Sequence, residues 1–227
     1  MTELEALRSR HSVRKYQDRP LDESVVSALK SEIEKMNIEG NLNMQLVLNE
    51  KKAFHTFLAY GKFSNVANYI MVIGKKSESL DFRAGYYSER LMLFAQSIGL
   101  NTCCVGLTYK KVSESCTVAE DEKVVMCISI GYGENQGVAR KSKRPDQVSN
   151  ISAATPDWFR NGVEAALLAP TAVNQQKFYF RFVAPDKVKP EYKFSLVGYT
   201  KIDLGIAMCN FEIGAGVNNF KWIDSPL

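Results

Sequence analysis

The apolar positions of this chain switch repeatedly between the period of a helix and the period of a strand. Val25, Leu29 and Ile33 lie four residues apart and predict one face of a helix. The near-continuous apolar run 69–74 instead predicts a buried strand. Such patterns predict helices at 4–10, 20–36, 82–98, 156–168 and 202–213, strands at 43–48, 69–74, 100–105, 124–130, 178–182 and 192–197, and a polar, basic loop at 131–148.

The strongest helical period occurs twice along the chain. It comprises Tyr87, Leu91, Phe94 and Ile98, and again Ile202, Ile206, Cys209 and Ile213, each set at i, i+4, i+7 and i+11 and each followed by a glycine, Gly99 or Gly214. The alternating apolar positions of strands 43–48 and 178–182 also correspond at a constant offset. Two amphipathic helices can match by coincidence, but two matches in the same order favour an internal repeat. We therefore expect one domain over residues 1–227, built from two diverged repeats at about 1–150 and 151–227.

Two weaker signals concern the ends of the helices. Thr155 is expected to serve as N-cap of the helix at 156–168, since its hydroxyl can accept a bond from an unpaired backbone N–H. Gly99 and Gly214 are expected to end the two matching helices, because glycine adopts the left-handed conformation common at this position.

Composition limits the function more than it limits the fold. The net charge of +4, from 29 basic and 25 acidic residues, suits an anionic ligand but is too weak to indicate nucleic acid. The densest basic cluster, Arg140–Arg144, would ordinarily be a solvated loop. None of the five cysteines forms a Cys-x-x-Cys pair or a zinc-type spacing, so we expect no metal. Without a signal sequence or an apolar run long enough to span a bilayer, a reduced protein of the cytoplasm is expected, with no membrane partner.

Two motifs far apart carry the candidate chemistry. Arg10-His11-Ser12-Val13-Arg14 supplies cations and a hydroxyl, the donors that bind a phosphate. The segment 169–176 reads Ala-Pro-Thr-Ala-Val-Asn-Gln-Gln and leads into a strand rich in phenylalanine. Together they resemble the two halves of the flavin mononucleotide (FMN) site in the FMN-dependent nitroreductase family. There the motifs read Arg-Arg/His-Ser-x-Arg/Lys and Ala-Pro-Ser-x-x-Asn-x-Gln, and both lie near the start, whereas here they lie at opposite ends.

The resemblance implies an α+β protein of the FMN-dependent nitroreductase fold, with a central, mostly antiparallel sheet flanked by helices and internally duplicated. Family members are homodimers in which each subunit contributes part of each flavin site. Here the first repeat has the phosphate motif, but its residues 36–40, Met-Asn-Ile-Glu-Gly, lack the ring motif; the second repeat shows the reverse. The chain is similar to a subgroup in which one subunit looks like the family's dimer. We expect a monomer that mimics the dimer and binds one FMN, with further dimerisation left open.

The resemblance also implies which residues bind the phosphate end of FMN. Arg10 and Ser12 match the family's phosphate and ribityl positions, and His11 between them is either a donor or an ordinary surface histidine. Lys141 and Lys143 match a late Lys-x-Arg-x-Pro motif that closes over the phosphate. Lys143 replaces the usual arginine, and Arg144 stands one position out of register.

The remaining expected contacts are to the flavin ring. Arg14 would place a cation near the pyrimidine edge of the flavin and so stabilise its reduced form. Lys62 would approach the flavin O2 atom; this prediction rests only on the distance in sequence between Lys62 and the strand at 69–74. Gly106, after Asn-Thr-Cys-Cys-Val, would bring a backbone N–H to N5, the catalytic contact, although a glycine that simply ends a strand is the competing interpretation. Cys103 and Cys104 are expected to be strand residues without redox function. The ring contacts expected from the second repeat are Pro170, Thr171, Ala172 and Asn174, with Gln176 also conserving the motif.

The expected activity follows from the resemblance. An FMN-dependent oxidoreductase would take hydride from NAD(P)H and pass it to nitroaromatics, quinones or a related small-molecule acceptor by a ping-pong mechanism. The alternative is an FMN-binding protein without nitroreductase turnover, such as a flavin carrier or regulator. A basic anion-binding or nucleic-acid module is a third reading, but no groove-reading motif supports it. The chain lacks the Gly-x-Gly-x-x-Gly fingerprint, so the choice between NADH and NADPH stays open.

Overall fold

The computed structural model describes residues 1–55, 59, 61–110, 112 and 114–227. These residues form two compact units. Unit 1 contains Met1, Ser9–Leu80 and Leu91–Ala139, and unit 2 contains Thr2–Arg8, Asp81–Arg90 and Arg140–Leu227. The helices are α1 (Glu3–Ser9), α2 (Glu23–Gly40), α3 (Leu80–Ser97), α4 (Pro145–Val148), α5 (Asp157–Ala166) and α6 (Thr200–Ala215). The strands are β1 (Gln45–Val47), β2 (Asn68–Lys75), β3 (Asn101–Val105), β4 (Glu122–Gly131), β5 (Phe178–Val183), β6 (Lys187–Tyr192) and β7 (Lys221–Trp222).

Unit 1 contains a four-stranded sheet in the order β1-β2-β4-β3, with every neighbouring pair antiparallel. Strand β2 lies inside this sheet, and its residues 68–74 are all buried, which explains the continuous apolar run in the sequence. One side of the sheet carries an aromatic cluster in which Phe54 packs against Tyr69 and Phe63. The hydroxyl of the buried Tyr16 forms a 2.9 Å hydrogen bond with the hydroxyl of Ser129 in β4, so the N-terminal segment is fastened to this core.

Unit 2 contains a three-stranded sheet in the order β5-β6-β7. Strands β5 and β6 form an antiparallel hairpin, whereas β6 and β7 are parallel. Helix α6 is buried along most of its length, and Phe211 on it packs against Phe159 of α5 and Phe180 of β5. Gly162 of α5 makes room for this ring, because a Cβ atom there would lie 2.8 Å from Phe211.

Within unit 2, the first half of α3 crosses α6 at two glycines. A Cβ atom on Gly85 would overlap the carbonyl oxygen of Ile202, and a Cβ atom on Gly205 would overlap the carbonyl oxygen of Phe82. The contact is reciprocal, since Gly205 and Ile202 each lie 120 positions after their counterparts Gly85 and Phe82. Helix α6 likewise begins 120 residues after α3, and β7 begins 120 residues after β3. Only glycine allows two backbones to approach this closely.

The order of elements repeats along the chain, because α2, β1, β2, α3 and β3 are followed later by α5, β5, β6, α6 and β7. In unit 1, β4 lies between β2 and β3 and is antiparallel to both, so β2 and β3 run in the same direction. In unit 2, no strand lies between β6 and β7 among the described residues, and the two pair directly in parallel. Removing β4 from the first sheet would therefore reproduce the strand directions of the second.

The structure confirms the α+β class and the mostly antiparallel pairing, with the strands divided between two sheets instead of one central sheet. Three local predictions are wrong. The strand expected at 192–197 overlaps the observed strand β6 (Lys187–Tyr192) only at Tyr192, and residues 193–197 form a loop. Thr155 does not cap α5, because its hydroxyl donates to Ser152 O at 2.8 Å instead. Gly214 lies inside α6, which ends at Ala215 and is followed by Gly216 with φ at 76°.

Two further differences concern helix length. The expected loop at 131–148 contains the short helix α4, which begins at Pro145, and Gln147 Oε1 accepts a hydrogen bond from Arg144 N at 2.9 Å. Helix α2 continues past Met36 to Gly40, and Asn41 after it adopts the left-handed conformation with φ at 47°. In the part of the chain that the structure describes, no helix combines the length and apolar character needed to cross a bilayer.

Candidate functional site

The N-terminal motif lies in an extended segment, Arg10–Tyr16, which we call the clamp segment. Its backbone is fixed by pairing within unit 1: Val13 N donates to Thr102 O of β3 at 3.0 Å, and Tyr16 N donates to Ser64 O at 3.0 Å. Ser64 N in turn donates to Arg14 O at 3.0 Å. The clamp segment thus has strand-like hydrogen bonds on its backbone, and its side chains are left for other contacts.

The side chains of the clamp segment differ sharply in exposure. Arg10 is only 2% exposed, His11 and Ser12 are half-buried, and Arg14 is exposed. Burial raises the pKa of the Cys103 thiol, while the charge of Arg14, a hydrogen bond from Ser12 and the charge of Arg10 act in the opposite direction. Arg10, Ser12 and Arg14, which are predicted to bind the phosphate or the ring, therefore all lie near Cys103 in β3.

Behind His11, the loop that follows β4 approaches the clamp segment closely. Gly137 has φ at +73°, and a Cβ atom on it would lie 2.7 Å from the Cβ of His11. The side chain of Asn101 holds this loop, since its amide donates to Gln136 Oε1 at 2.9 Å and its oxygen accepts from Gly133 N at 3.1 Å. The loop fixes His11 from one side.

Two other predicted residues of unit 1 lie near this backbone. Lys62 is exposed and lies two residues before Ser64. Ser64 forms backbone hydrogen bonds with Arg14 and Tyr16, the two neighbours of Lys15 in the clamp segment. Gly106 is exposed and directly follows β3, four residues after Thr102, the partner of Val13. Cys103 and Cys104 lie in β3, as expected of strand residues.

The second motif forms a short irregular segment of unit 2, Pro170–Gln176, which we call the ring segment. Three of its non-glycine residues have positive φ: Val173 at 45°, Asn174 at 56° and Gln176 at 45°. Such a backbone is costly for residues with a Cβ atom, most of all for a β-branched valine. A strained conformation persists only where the surroundings enforce it, and here they are side-chain hydrogen bonds.

Asp203 of α6 holds the first half of the ring segment. One carboxylate oxygen accepts from Ala172 N at 2.9 Å, and the other accepts from Gln175 Nε2 at 2.7 Å. Burial raises the pKa of Asp203 to about 6, although both hydrogen bonds act to lower it. Asp203 was not among the residues predicted from the sequence, where its one signal is a charged side chain in the otherwise apolar run 202–209.

Gln176 holds the second half and is 2% exposed. Its amide nitrogen donates to Lys141 O at 3.1 Å and to Asn174 Oδ1 at 2.8 Å, while its side-chain oxygen accepts from Lys143 N at 2.9 Å. Its backbone N–H donates to the hydroxyl of Thr171 at 3.1 Å. The motif's Gln therefore serves as a local scaffold for the ring segment.

The structure brings the late basic motif and the ring segment together within unit 2. Lys143 Nζ donates to Gln175 O at 2.9 Å and to Gln176 O at 2.6 Å, and Asn174 Nδ2 donates to Lys141 O at 2.8 Å. The pKa of Lys143 is lowered by burial and by the neighbouring charges of Lys177 and Lys193. Lys141 itself is exposed. Two of the three N–H bonds of the Lys143 ammonium are thus committed to the ring segment.

Arg140 adds hydrogen bonds just before the ring segment, where its guanidinium donates to the carbonyl oxygens of Leu167 and Ala169. No sequence motif pointed to this contact. Among the described residues there is no group of three or more His, Cys, Asp or Glu side chains that could hold a metal ion.

Two sheets flanked by helices, an arginine-bearing clamp segment and a strained Pro-Thr-Ala-Val-Asn loop define a protein of the nitroreductase class. The chain belongs to the family described as "Putative TM nitroreductase", which matches residues 3–215. No curated protein matches it.

Solved structures agree with this assignment. The chain is similar to a "putative nitroreductase" from Thermotoga maritima, with 21% identity, a TM-score of 0.68, and coverage of 94% of this chain and 83% of that one. It also resembles a protein from Desulfovibrio desulfuricans solved in complex with FMN (14% identity, TM-score 0.52, 69% and 99% coverage). A third similar structure is a "putative NAD(P)H:FMN oxidoreductase" from Staphylococcus epidermidis (14% identity, TM-score 0.52, 65% and 94% coverage). At these identities the likeness establishes the nitroreductase fold.

Proposed function

We propose that this chain is an FMN-dependent oxidoreductase that takes hydride from NAD(P)H and passes it to a small-molecule acceptor such as a nitroaromatic or a quinone. The observation that carries the proposal is the ring segment, where three left-handed non-glycine residues are enforced by Asp203, Gln176 and Lys143. Strain of this kind is typical of ligand-binding loops. The family match and the FMN in the complex from Desulfovibrio desulfuricans support flavin as that ligand.

The residues of the clamp segment fit the phosphate end of FMN. Arg10 offers a guanidinium that can form paired hydrogen bonds with phosphate oxygens, and Ser12 offers a hydroxyl. Lys141 supplies an exposed ammonium, and Lys143 keeps one N–H beyond the two that bind carbonyl oxygens. His11, placed by Gly137, would contact the ribityl end through its backbone or its ring.

The ring segment fits the isoalloxazine ring. Pro170, Thr171 and Ala172 would form the contact surface, and Asn174 would add a polar contact. Gln175 contributes a buried acceptor, since its Oε1 receives no hydrogen bond within the described part of the chain, and the flavin ring carries an N3–H donor. In the same proposal Arg14 and Lys62 hold positive charge at the pyrimidine edge, and Gly106 allows a backbone N–H to approach N5.

The bound flavin would supply the hydride chemistry, and this chain's residues would supply position and charge. Positive charge from Arg14 and Lys62 would stabilise the anionic reduced state of the ring. The buried network of Asp203 and Gln176 would keep the ring segment in one conformation through both half-reactions. Donor and acceptor would bind in turn at the same face, which makes the kinetics ping-pong.

We further propose that the chain is an internal duplication and that one chain binds one FMN. The repeated order of elements, the shared strand directions and the reciprocal glycine contacts at a spacing of 120 residues support the duplication. This spacing differs from that of the two matching helical periods in the sequence, which lie 115 positions apart. Monomeric behaviour and a cytoplasmic location belong to the same proposal, and the free thiols of the described cysteines fit the latter.

The activity is tested with purified protein under anaerobic conditions. We expect bound FMN, and we expect NADH or NADPH to bleach its absorbance within seconds, with reoxidation by a nitroaromatic or quinone. A yellow protein that neither nucleotide reduces would be a flavin carrier or regulator. A colourless protein that does not take up added FMN would contradict the proposal.

The stoichiometry is tested by complementation. Arg10→Ala and Asn174→Ala chains are mixed, unfolded and refolded together, and FMN binding is titrated. If one chain provides both sets of residues, binding stays lost. Recovery of about a quarter of the sites or more would show that two chains share each site.

A further inference from the structure

The outer face of the β5–β6 hairpin begins with two lysines placed directly opposite each other. Lys193 N donates to Lys177 O at 2.7 Å, which continues the register beyond the pair Phe178 and Tyr192. Both side chains therefore project from the same face of the hairpin. Like charges in directly opposite positions destabilise a strand pair, so this arrangement is unfavourable for the protein alone.

A third ammonium group lies close to this pair. Lys143 is held in place by its hydrogen bonds to Gln175 O and Gln176 O, adjacent to Lys177 in the chain. The charges of both Lys177 and Lys193 act on it. We call Lys143, Lys177 and Lys193 the lysine triad.

The carboxylates of this face are engaged elsewhere. Glu191 pairs with Arg181 at 3.2 Å, and Asp224 pairs with Lys189 at 2.8 Å. Within the described ranges, no carboxylate lies within ion-pair distance of the lysine triad. Concentrated positive charge without a protein counter-charge attracts an anionic ligand.

Apolar side chains lie beside the lysine triad in the loop that follows β6. Phe194 is 81% exposed and Leu196 is 94% exposed, which is unusual for side chains of this size. The loop is tied to the ring segment, because Gln175 Nε2 donates to Gly198 O at 2.9 Å. Exposed aromatic and aliphatic surface next to a cationic cluster suits a ligand that joins an aromatic ring to a phosphate.

We propose that the lysine triad and the loop 194–197 bind the phosphorylated adenosine end of NADPH. The ammonium groups of Lys177 and Lys193 take the 2′-phosphate, and Phe194 and Leu196 take the adenine ring. Lys143, whose remaining N–H is assigned to the FMN phosphate, adds its positive charge beside them. The inference rests on the proposed NAD(P)H-dependent activity and settles which nucleotide serves it, since NADH lacks the 2′-phosphate. FMN also carries a phosphate monoester, but a flexible polyol separates that phosphate from the flavin ring. In the adenosine end of NADPH the 2′-phosphate and the adenine ring are attached to the same sugar, so adenosine better fits apolar side chains that lie directly beside the lysines.

The first test measures binding without turnover. Calorimetric titration of the protein as purified compares 2′,5′-ADP with 5′-AMP, which differ by the 2′-phosphate. We expect 2′,5′-ADP to bind at least tenfold more tightly, and the Lys177→Ala/Lys193→Ala variant to bind the two equally. Lys187→Ala, an exposed lysine at the far end of the same hairpin, should retain the difference. Equal binding by the unmodified protein would overturn the proposal.

The second test separates this phosphate from that of FMN. In the double variant we expect the KM for NADPH to rise at least tenfold, the KM for NADH to change less than twofold, and the Kd for FMN to stay constant. A parallel loss of FMN affinity would assign the lysine triad to the flavin phosphate and overturn the proposal. If neither nucleotide reduces the flavin of the unmodified protein, the proposed activity fails, while the binding test still decides the role of the lysine triad.

Discussion

The clamp segment and the ring segment both lie outside the α-helices and strands, but different kinds of hydrogen bond hold them in place. The backbone of the clamp segment forms strand-like hydrogen bonds with Thr102 and Ser64, and none of its residues has positive φ. The ring segment has little backbone pairing and is fixed by the side chains of Asp203, Gln176 and Lys143. Substitutions in the first region should therefore change what it binds, and those in the second should change its shape.

The largest effect is expected for Gln176→Ala. The change removes three side-chain hydrogen bonds and leaves Lys143 N without its acceptor in a buried position, so the free energy of unfolding should fall by about 3 kcal/mol. Urea unfolding measures it. Gln17→Ala is the control, because this exposed side chain makes one hydrogen bond next to the clamp segment and should cost under about 0.5 kcal/mol. Equal losses in both variants would contradict the difference between the regions.

The carboxyl of Asp203 should make stability depend on pH. Its pKa is raised from 3.8 to about 6 in the folded protein, so the folded state binds the proton more tightly. Its contribution is fully present below about pH 4 and is lost as the pH rises through 6, on the order of 2–3 kcal/mol. Unfolding at pH 4 and pH 7 should show this loss in the unmodified protein. Asp203→Asn should lack that component even if it is less stable at both pH values.

Arg10→Ala tests the clamp segment. Each charge-assisted hydrogen bond contributes about 1.5–3 kcal/mol, so FMN affinity should fall at least tenfold in a fluorescence titration. The ring segment should keep its conformation, as reported by unchanged amide hydrogen exchange at residues 171–176. Arg19→Ala removes an exposed arginine paired with Asp22 and should leave FMN affinity as it is. Unchanged affinity after Arg10→Ala would refute the assignment of the clamp.

The smallest effect is expected for Val173→Gly. The valine is 79% exposed and has φ at 45°, so glycine relieves strain while losing few contacts, and stability should rise by up to about 1 kcal/mol. The control is Val138→Gly, which is 84% exposed and does not have positive φ. There the added freedom of the unfolded chain should lower stability by about 0.5–1 kcal/mol. Thermal unfolding distinguishes the two signs.

The helices and most strands could be predicted because burial imposes a period on the sequence. The i, i+4 spacing of Leu29 and Ile33 in α2 reports its buried face, and the continuous run of β2 reports burial on both faces. Strand β6 was missed because it contains Pro190 and several charged residues. Proline is tolerated there since β7 pairs only with Lys187 and Val188, so the lost N–H costs no hydrogen bond to that strand.

The site was less predictable than the fold. Residues of the two motifs could be found by resemblance, because they would touch the ligand directly. Asp203 and Arg140 act through other residues, and their roles depend on which loop the fold brings to them. The buried carboxylate of Asp203 accepts hydrogen bonds from Ala172 N and Gln175 Nε2, but the only sign of this in the sequence is one acidic residue within an apolar helix.

The crossing of α3 and α6 has an evolutionary consequence. In a symmetric pair of identical chains, one mutation at such a crossing alters both sides of the contact at once. Here Gly85 and Gly205 are encoded by separate codons, and a side chain at either position would collide with the backbone of the opposite helix. Selection must therefore preserve each glycine separately, while the residues around them in the two helices are free to diverge.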